Sequence, residues 1–308
     1  MTKKVLVTGA AGFIGSSVVD ELIRKKYDVV AIDDLSTGSY ENLNSSSKIK
    51  ILDINYFYNL DLLFEEEKFD YVIHCAAQVS VHYSVENTHK DVETNVLGGC
   101  KTSGFATKGC NIMQCCKLHN IKKLIFTSTG GALYGKPEYL PADENHPISP
   151  YGLSKSVVEK YLKIYNDLFS LNFVSLRFSN VYGPRDSENS GHIIPVIINK
   201  LKRNEEVEIF GDGEQARDFI YVDDVVNAII KSLENESLTD AYINIGTENM
   251  YNINFVYKKI KEIMKSNLNP KYKDKRKGDV NQIYLSNSLA KDKLDWEPKV
   301  DIIEGLKQ

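Results

Sequence analysis

Val5-Leu-Val-Thr-Gly-Ala-Ala-Gly-Phe-Ile-Gly15 is the stretch that decides the fold, a short apolar run followed by glycines at positions 9, 12 and 15. The order predicts strand, tight turn, helix. Glycine at these spacings lets the chain turn sharply, lets main-chain N–H groups approach a pyrophosphate, and lets the new helix lie close on its strand with its N-terminus facing the anion. A glycine triplet alone is a weak signal, but its surroundings agree with it. Lys4 to Thr8 reads as a β-rich run, and Phe13, Ile14, Val18, Val19, Leu22 and Ile23 then recur at helical spacing. A second apolar run, Tyr27 to Ile32, ends in Asp33. A carboxylate there is placed to bind both hydroxyls of an adenosine ribose and would repel a 2′-phosphate, which favours NAD over NADP. The plainer alternative is an ordinary glycine-rich βαβ turn with a capping acid.

The same theme repeats downstream. Lys48 to Leu52 ends in Asp53 and Ile54, Tyr71 to His74 ends in Cys75-Ala76-Ala77, and Ile121 to Thr127 and Asn172 to Arg177 are two more strand candidates. Helical patterns lie between them, over Phe57 to Glu66, Glu86 to His119 and Tyr151 to Phe169. This alternation predicts an α/β fold, a Rossmann-type doubly wound parallel sheet with ligands at the strands' carboxyl ends. Beyond about Asn180 the alternation stops, and Gly183, Pro184, Gly191, Pro195, Gly211 and Gly213 punctuate longer loops. Asp223 to Leu233 reads as a helix and Ala241 to Ile245 as one more strand. The expected organisation is a dinucleotide-binding domain over 1–179, rejoined by about 218–245, and a smaller C-terminal substrate lobe over 180–308.

Composition narrows the partners. With 308 residues, 42% hydrophobic and 26% charged, the chain has ordinary globular composition and no mark of disorder. The net charge of −4 contains no long run of one sign, so nothing in it points to nucleic acid or a membrane surface. Lys271 to Lys277 is the densest basic stretch, either a solvated loop or a contact for a phosphate-bearing ligand. Cys75, Cys100, Cys110, Cys115 and Cys116 form neither an even disulfide framework nor a paired metal pattern, which predicts free thiols in a reducing cytoplasm. No stretch approaches the length of a membrane span, and the N-terminus has no uninterrupted apolar segment of the targeting type.

Tyr151-Gly-Leu-Ser-Lys155 places a phenol and an ammonium one helical turn apart, where the cation can lower the phenol's pKa and make it a usable base. Spacing alone does not single it out, because among 18 tyrosines Tyr257 and Lys261 share it. Position arbitrates. Tyr257 sits among Phe255, Val256, Ile260 and Ile263 on an amphipathic pattern that predicts packing. Tyr151 follows Ser149-Pro150, opens a helix, and comes after a strand whose end carries Thr127, Ser128 and Thr129.

Thr8-Gly-Ala-Ala-Gly-Phe-Ile-Gly15, Asp53-Ile54, His74-Cys-Ala-Ala-Gln78, Asn95-Val-Leu-Gly98, Thr127-Ser-Thr-Gly-Gly-Ala-Leu-Tyr-Gly135, Tyr151 with Lys155, Arg177-Phe-Ser-Asn-Val-Tyr-Gly-Pro-Arg185 and Arg217-Asp-Phe-Ile-Tyr-Val-Asp-Asp224 follow one another in a single order. Together they closely resemble the extended short-chain dehydrogenase/reductases, above all the UDP-glucose 4-epimerase group, nearly to the end of the chain at Trp296-Glu-Pro298. The resemblance implies that Gly9, Gly12, Gly15, Asp33, Asp53 and Ile54 hold the adenosine half of NAD. Ala76, Gln78, Asn95 and Lys155 would line the nicotinamide half, with Phe13, Ile14 and Ala77 completing the cofactor contacts. Tyr151 would be the base on the sugar 4-hydroxyl, and Thr129 would hydrogen-bond that hydroxyl, with Ser128 a close rival.

On the sugar-nucleotide side the resemblance implies that Asn180, Arg217 and Arg276 contact the UDP ribose and diphosphate. Ile194, Pro195 and Phe210 would pack around the uracil, and Ile283 would set substrate breadth. Arg217 also suits a phosphate on chemical grounds, whereas Asn180 could equally stabilise its own loop. The implied reaction oxidises the sugar at C4, lets the 4-keto sugar turn over, and reduces it on the opposite face. Relatives that dehydrate or decarboxylate, or that act on UDP-glucuronate, are the alternatives within the family. The first two use an added acid where this chain has Gly130, Gly131 and Ala132. A non-catalytic NAD sensor is the alternative of another class, and it would be expected to have lost Tyr151 or Lys155.

One departure stands out. Relatives join Asn95-Val-Leu-Gly-Gly99 almost directly to Asn111-Ile-Met-Gln-Cys-Cys116, where this chain has about ten extra residues. Continuous helix from Thr88 to His119 would run about 48 Å, and an insert of ten puts the apolar stripe roughly 80° out of register. The reading predicts a bulge over 100–109 with a helix on either side. Relatives use this region and the helix beginning at Tyr151 to form a homodimer, which the insert could weaken or leave untouched.

Overall fold

The computed structural model describes residues 2–79, 81–96, 111–131, 150–275 and 281–308. The N-terminal half alternates strand and helix: β1 (Lys4–Thr8), α1 (Phe13–Arg24), β2 (Asp28–Asp33), β3 (Lys48–Ile51), α2 (Phe57–Glu67), β4 (Tyr71–His74), α3 (Val81–Glu86), α4 (Thr88–Asn95), α5 (Asn111–Leu118), β5 (Lys123–Thr129), α6 (Pro150–Phe169) and β6 (Phe173–Phe178). The C-terminal half adds β7 (Asn180–Tyr182), α7 (Ile193–Lys202), β8 (Glu208–Phe210), β9 (Ala216–Arg217), β10 (Phe219–Tyr221), α8 (Val222–Glu234) and β11 (Ala241–Ile245). It ends with β12 (Tyr251–Asn252), α9 (Ile253–Ile263), β13 (Lys271–Lys273), β14 (Gln282–Ile283), α10 (Ser288–Leu294) and α11 (Ile302–Gly305).

Seven strands form one parallel sheet in the order β11-β6-β5-β4-β1-β2-β3. The inner strands are apolar because both faces of such a sheet are covered, whereas the edge strand β3 alternates lysine and isoleucine. Side chains alternate between two cores. Val5, Val7, Val29, Ala31, Ile73 and Ile125 face Val18, Val19 and Leu22 of α1 and Val225 and Ile229 of α8. Leu6, Val30, Ile32, Val72, Leu124 and Phe126 face Leu60 and Phe64 of α2, Cys115 and Cys116 of α5, and Leu162 of α6. Each buried Val, Leu, Ile or Phe side chain among them contributes about 1.5–3 kcal/mol. β11 comes from the C-terminal half and pairs with β6 from Ala241↔Val174 to Ile245↔Phe178, so one sheet draws on both halves. The remaining strands form three small sheets, β10-β7, β12-β9-β14 and β13-β8.

Several boundaries differ from the sequence reading. β5 runs to Thr129, past the expected end at Thr127, because Ser128 and Thr129 pair with Arg177 and Phe178 of β6. The pattern from Glu86 to His119 resolves into α4 and α5, one on either side of 97–110. The expected bulge over 100–109, with Cys100 and Cys110 at its edges, lies outside the described residues. Tyr257 is buried and donates its hydroxyl to Leu268 O at 3.0 Å, the packing role its helix pattern implied. Among the described residues Cys75, Cys115 and Cys116 are free thiols, and no helix is long and apolar enough to cross a membrane.

Candidate active site

Strand order reverses between β1 and β4, and a parallel sheet opens its ligand crevice at that point, beyond the strands' carboxyl ends. Gly9 leaves β1 at φ +67°, and a Cβ on it would stand 2.6 Å from Ala76 N just past β4. A Cβ on Gly15 would stand 2.1 Å from Gly9 O, so α1 can lie this close to β1 only with glycine there. Gly12 is the N-cap of α1 and provides no side-chain cap, and the first turn, which includes Phe13 and Ile14, carries no acidic residue. That leaves the helix start a favourable seat for an anion.

Asp33 ends β2 beside this turn. Its Oδ2 accepts from Ala11 N at 2.9 Å and its Oδ1 from Leu35 N at 2.8 Å. Burial pushes its carboxyl up, and those two N–H donors oppose the shift. Asp53 and Ile54 follow β3, where Asp53 Oδ1 accepts from Asn55 N at 2.8 Å and Ile54 packs at the rim of the second core. A glycine turn that closes on the β4 end, an uncapped helix start and a carboxylate at the β2 end together fit a dinucleotide.

Past β4, Ala76 N donates to Thr8 Oγ1 at 3.2 Å, which places Ala76 and Ala77 against the glycine turn. Asn95 brackets the main chain of Gln78, accepting from its N at 2.8 Å and donating to its O at 2.9 Å. His74 Nδ1 lies 2.7 Å from Thr8 Oγ1, and burial beside Lys155 brings the imidazole down to about 3, so it is neutral. Burial likewise pushes the Cys75 thiol up to about 12, which makes it unreactive.

Tyr151 and Lys155 are both buried in the opening turns of α6. Lys155 Nζ donates to Thr127 O at 3.0 Å and stands 4.8 Å from the Phe126 ring and 6.0 Å from the Tyr151 ring. The expectation that Lys155 lowers the phenol's pKa requires correction. Burial, with Asp91 next, pushes Tyr151 well above the ordinary tyrosine value, and the same desolvation brings the Lys155 ammonium down to about 8. Ser128 and Thr129 end β5 on the same crevice. Ser128 Oγ is buried and has no hydrogen-bond partner among the described residues, whereas Thr129 is half-buried.

The substrate-side candidates come from the C-terminal half. Asn180 begins β7, its N donating to Asp218 O at 2.9 Å, and its Oδ1 lies 3.5 Å from where a Gly131 Cβ would sit. Arg217 in β9 donates from Nη1 to Ala216 O at 2.9 Å and to Asn281 O at 3.5 Å. Ile283 of β14 is opposite Arg217 in the register and is 2% exposed. Ile194 and Pro195 are buried in α7, and half-buried Phe210 ends β8 opposite Lys273. Arg276 lies outside the described residues. Of the basic stretch, Lys271–Lys273 forms exposed β13.

Sequence reasoning missed Asp91 and Ser154. Asp91 accepts from Ser154 Oγ at 2.6 Å, Gln78 Nε2 at 3.0 Å and Asn95 Nδ2 at 2.9 Å. The available signal was the four-residue spacing of Asp91 and Asn95, which puts both on one face of a helix.

Glycine turn, buried Tyr–Lys pair and sheet topology define a nucleotide-dependent short-chain oxidoreductase-like enzyme, and the chain matches the NAD dependent epimerase/dehydratase family over residues 5–246. It belongs to that family. A Methanocaldococcus jannaschii protein provisionally named UDP-glucose 4-epimerase is 42% identical over 99% of this chain and 96% of its own length. The Thermotoga maritima UDP-glucose 4-epimerase, solved with UDP-glucose, superposes with a TM-score of 0.92 at 41% identity, covering 99% of this chain and 96% of that one. The UDP-N-acetylglucosamine 4-epimerase of Methanobrevibacter ruminantium, solved with UDP-N-acetylmuramic acid, gives 0.89 at 35% identity and the same coverages.

Proposed function

We propose that this chain is an NAD-dependent epimerase that inverts C4 of a UDP-hexose, interconverting UDP-glucose and UDP-galactose with some activity on the N-acetylated pair. The observation that carries the reading is the buried Tyr151–Lys155 pair, its lysine fastened to β5 through Thr127 O, next to the Ser128 hydroxyl that has no hydrogen-bond partner among the described residues. The likeness to UDP-sugar epimerases along the whole chain supports the substrate class.

In this reading Gly9, Gly12, Phe13, Ile14 and Gly15 hold the pyrophosphate, and Asp33, Asp53 and Ile54 the adenosine. Ala76, Ala77, Gln78, Asn95 and Lys155 line the nicotinamide. Bound NAD supplies a reversible two-electron oxidation at C4, which makes inversion through a 4-keto sugar possible. Tyr151 takes the proton from the 4-hydroxyl and returns it after the sugar has turned. Ser128 and Thr129 hold that oxygen, and the vacant hydrogen-bonding capacity of Ser128 favours it as the closer contact. Lys155 donates its charge to the same corner. Asn180, Arg217 and Arg276 hold the UDP moiety, with Ile194, Pro195 and Phe210 around the uracil, so that the sugar can rotate while its diphosphate stays bound.

The reading extends to assembly. α6 carries Leu153, Tyr161, Ile164 and Leu168 exposed within one arc of its surface, and we assign that face to a second copy of the chain. Light scattering checks this, and a monomer at micromolar concentration would rule it out.

Incubation with UDP-glucose, UDP-N-acetylglucosamine and UDP-glucuronate, followed by NMR of the products, tests the activity. The expected product of the first is UDP-galactose. Dehydrated or decarboxylated products, or unchanged substrates with bound NAD, would overturn the reading.

A further inference from the structure

Resting on the reading of Tyr151 and Lys155 above, we propose that Asp91 is a positioning residue, a buried carboxylate that registers the cofactor-side loop after β4 with the opening turns of α6. Asp91 lies in α4 and is fully buried. Its Oδ1 accepts from the side-chain amides of Gln78 and Asn95, and its Oδ2 from the Ser154 hydroxyl. Asn95 in turn grips the main chain of Gln78 from both sides. Ser154 is the residue before Lys155 and lies one helical turn beyond Tyr151. One carboxylate therefore ties its own helix and the loop after β4 to α6, 63 positions further along the chain, and each of the three carries residues assigned to the crevice.

The chemistry explains why the position holds an acid. All three partners offer donors, and a carboxylate is acceptor-only, so it can meet all of them. Its charge also reaches the pair. The titratable groups acting there are Asp91 from α4, Glu159 from α6 itself, and His74 and Cys75 from the end of β4. His74 is neutral, Cys75 keeps its proton, and Glu159 is paired with Arg177 at 2.7 Å. Burial dominates at both groups; Asp91 adds to it at Tyr151, favouring the neutral phenol, and with Glu159 opposes it at Lys155, favouring the ammonium.

Three variants of the full NAD-loaded chain separate register from charge. In Asp91→Asn the amide oxygen can still accept from Gln78 and Asn95, and the Ser154 hydroxyl can turn to accept from the new N–H, so the framework survives and the charge does not. Its melting temperature and NAD affinity by calorimetry should match the parent's, while the acid limb of its kcat profile moves to lower pH. Asp91→Ala and Ser154→Ala should lower kcat by about tenfold with the KM for UDP-glucose within about twofold, because the uridine contacts lie on other elements. A kcat within about twofold of the parent in both variants would overturn the proposal. So would a loss tracking the folded fraction by circular dichroism, or an unmoved pH profile in Asp91→Asn. If the parent itself epimerises nothing, the functional reading fails, but NAD affinity still judges Asp91. Weakening by about tenfold in Asp91→Ala but not in Asp91→Asn supports the register, and equal affinity in both overturns it.

Discussion

Lys155 Nζ donates to Thr127 O at 3.0 Å and stands 6.0 Å from the centre of the Tyr151 ring, although the two residues are one helical turn apart. The lysine is thus anchored to the carboxyl end of β5, and the phenol is held beside it in a dry environment that favours its neutral form. The base proposed here is pre-set in position and needs further positive charge at the crevice to ionise. We expect Tyr151→Phe to keep its fold and NAD content, because only a hydroxyl is lost, while epimerisation falls by about three orders of magnitude or more. Comparable turnover in the variant, measured by coupled assay, would sink the proposed base.

Desolvation sets the charged form of Lys155 against the fold. Burial lowers its pKa from 10.5 to about 8, so the unfolded chain binds the proton more tightly than the folded one. Below pH 8 the folded state carries the whole cost of the buried charge, on the order of 3 kcal/mol, and recovers it as pH rises from 8 to 10.5. Lys155→Met should therefore raise the melting temperature at pH 7, lose that gain towards pH 10.5, and abolish turnover. An unchanged or lower melting temperature at pH 7 would show that the Thr127 hydrogen bond outweighs the desolvation.

Asp33 accepts from the Ala11 and Leu35 N–H groups, and the proposed function gives its carboxylate a second task, at the adenosine ribose. Asp33→Asn keeps an acceptor for the turn but removes the charge that repels a 2′-phosphate. Calorimetry should find the preference for NAD over NADP reduced by about tenfold or more, with a modest loss of stability. A preference equal to the parent's would mean that Asp33 shapes the turn without reading the ribose.

The fold was legible because its deciding signals are local. The Gly9, Gly12, Gly15 spacing and the apolar runs at Val5, Val29 and Val72 specify strand, turn and helix within a few residues. The pair Tyr151 and Lys155 was legible from its position rather than its spacing, which Tyr257 and Lys261 share: it opens a helix after a strand that ends in Thr127, Ser128 and Thr129. What escaped was long-range. Asp91 and Ser154 meet across 63 positions, and nothing in either neighbourhood announces the other. The electrostatics escaped too: four-residue spacing suggested an ammonium acting on a phenol, whereas depth of burial, which sequence does not encode locally, decides the direction of the shift.

Ile283 bears on substrate breadth. Its strand β14 pairs with β9, placing it opposite Arg217, and Asp218 N donates to its carbonyl at 3.2 Å, so its backbone is fixed next to the arginine assigned to the diphosphate. With the side chain 2% exposed, a tyrosine in its place cannot be absorbed where isoleucine sits and must push towards the crevice or strain the strand. Such overpacking costs about 1–3 kcal/mol. Ile283→Tyr should therefore melt earlier, and should lose activity on UDP-N-acetylglucosamine by about tenfold more than on UDP-glucose, because the acetamido group needs the room the ring takes. Parallel kcat/KM measurements on the two substrates check this. An unchanged ratio, with the same drop in melting temperature, would place the extra ring in the core and remove Ile283 from the specificity-determining residues.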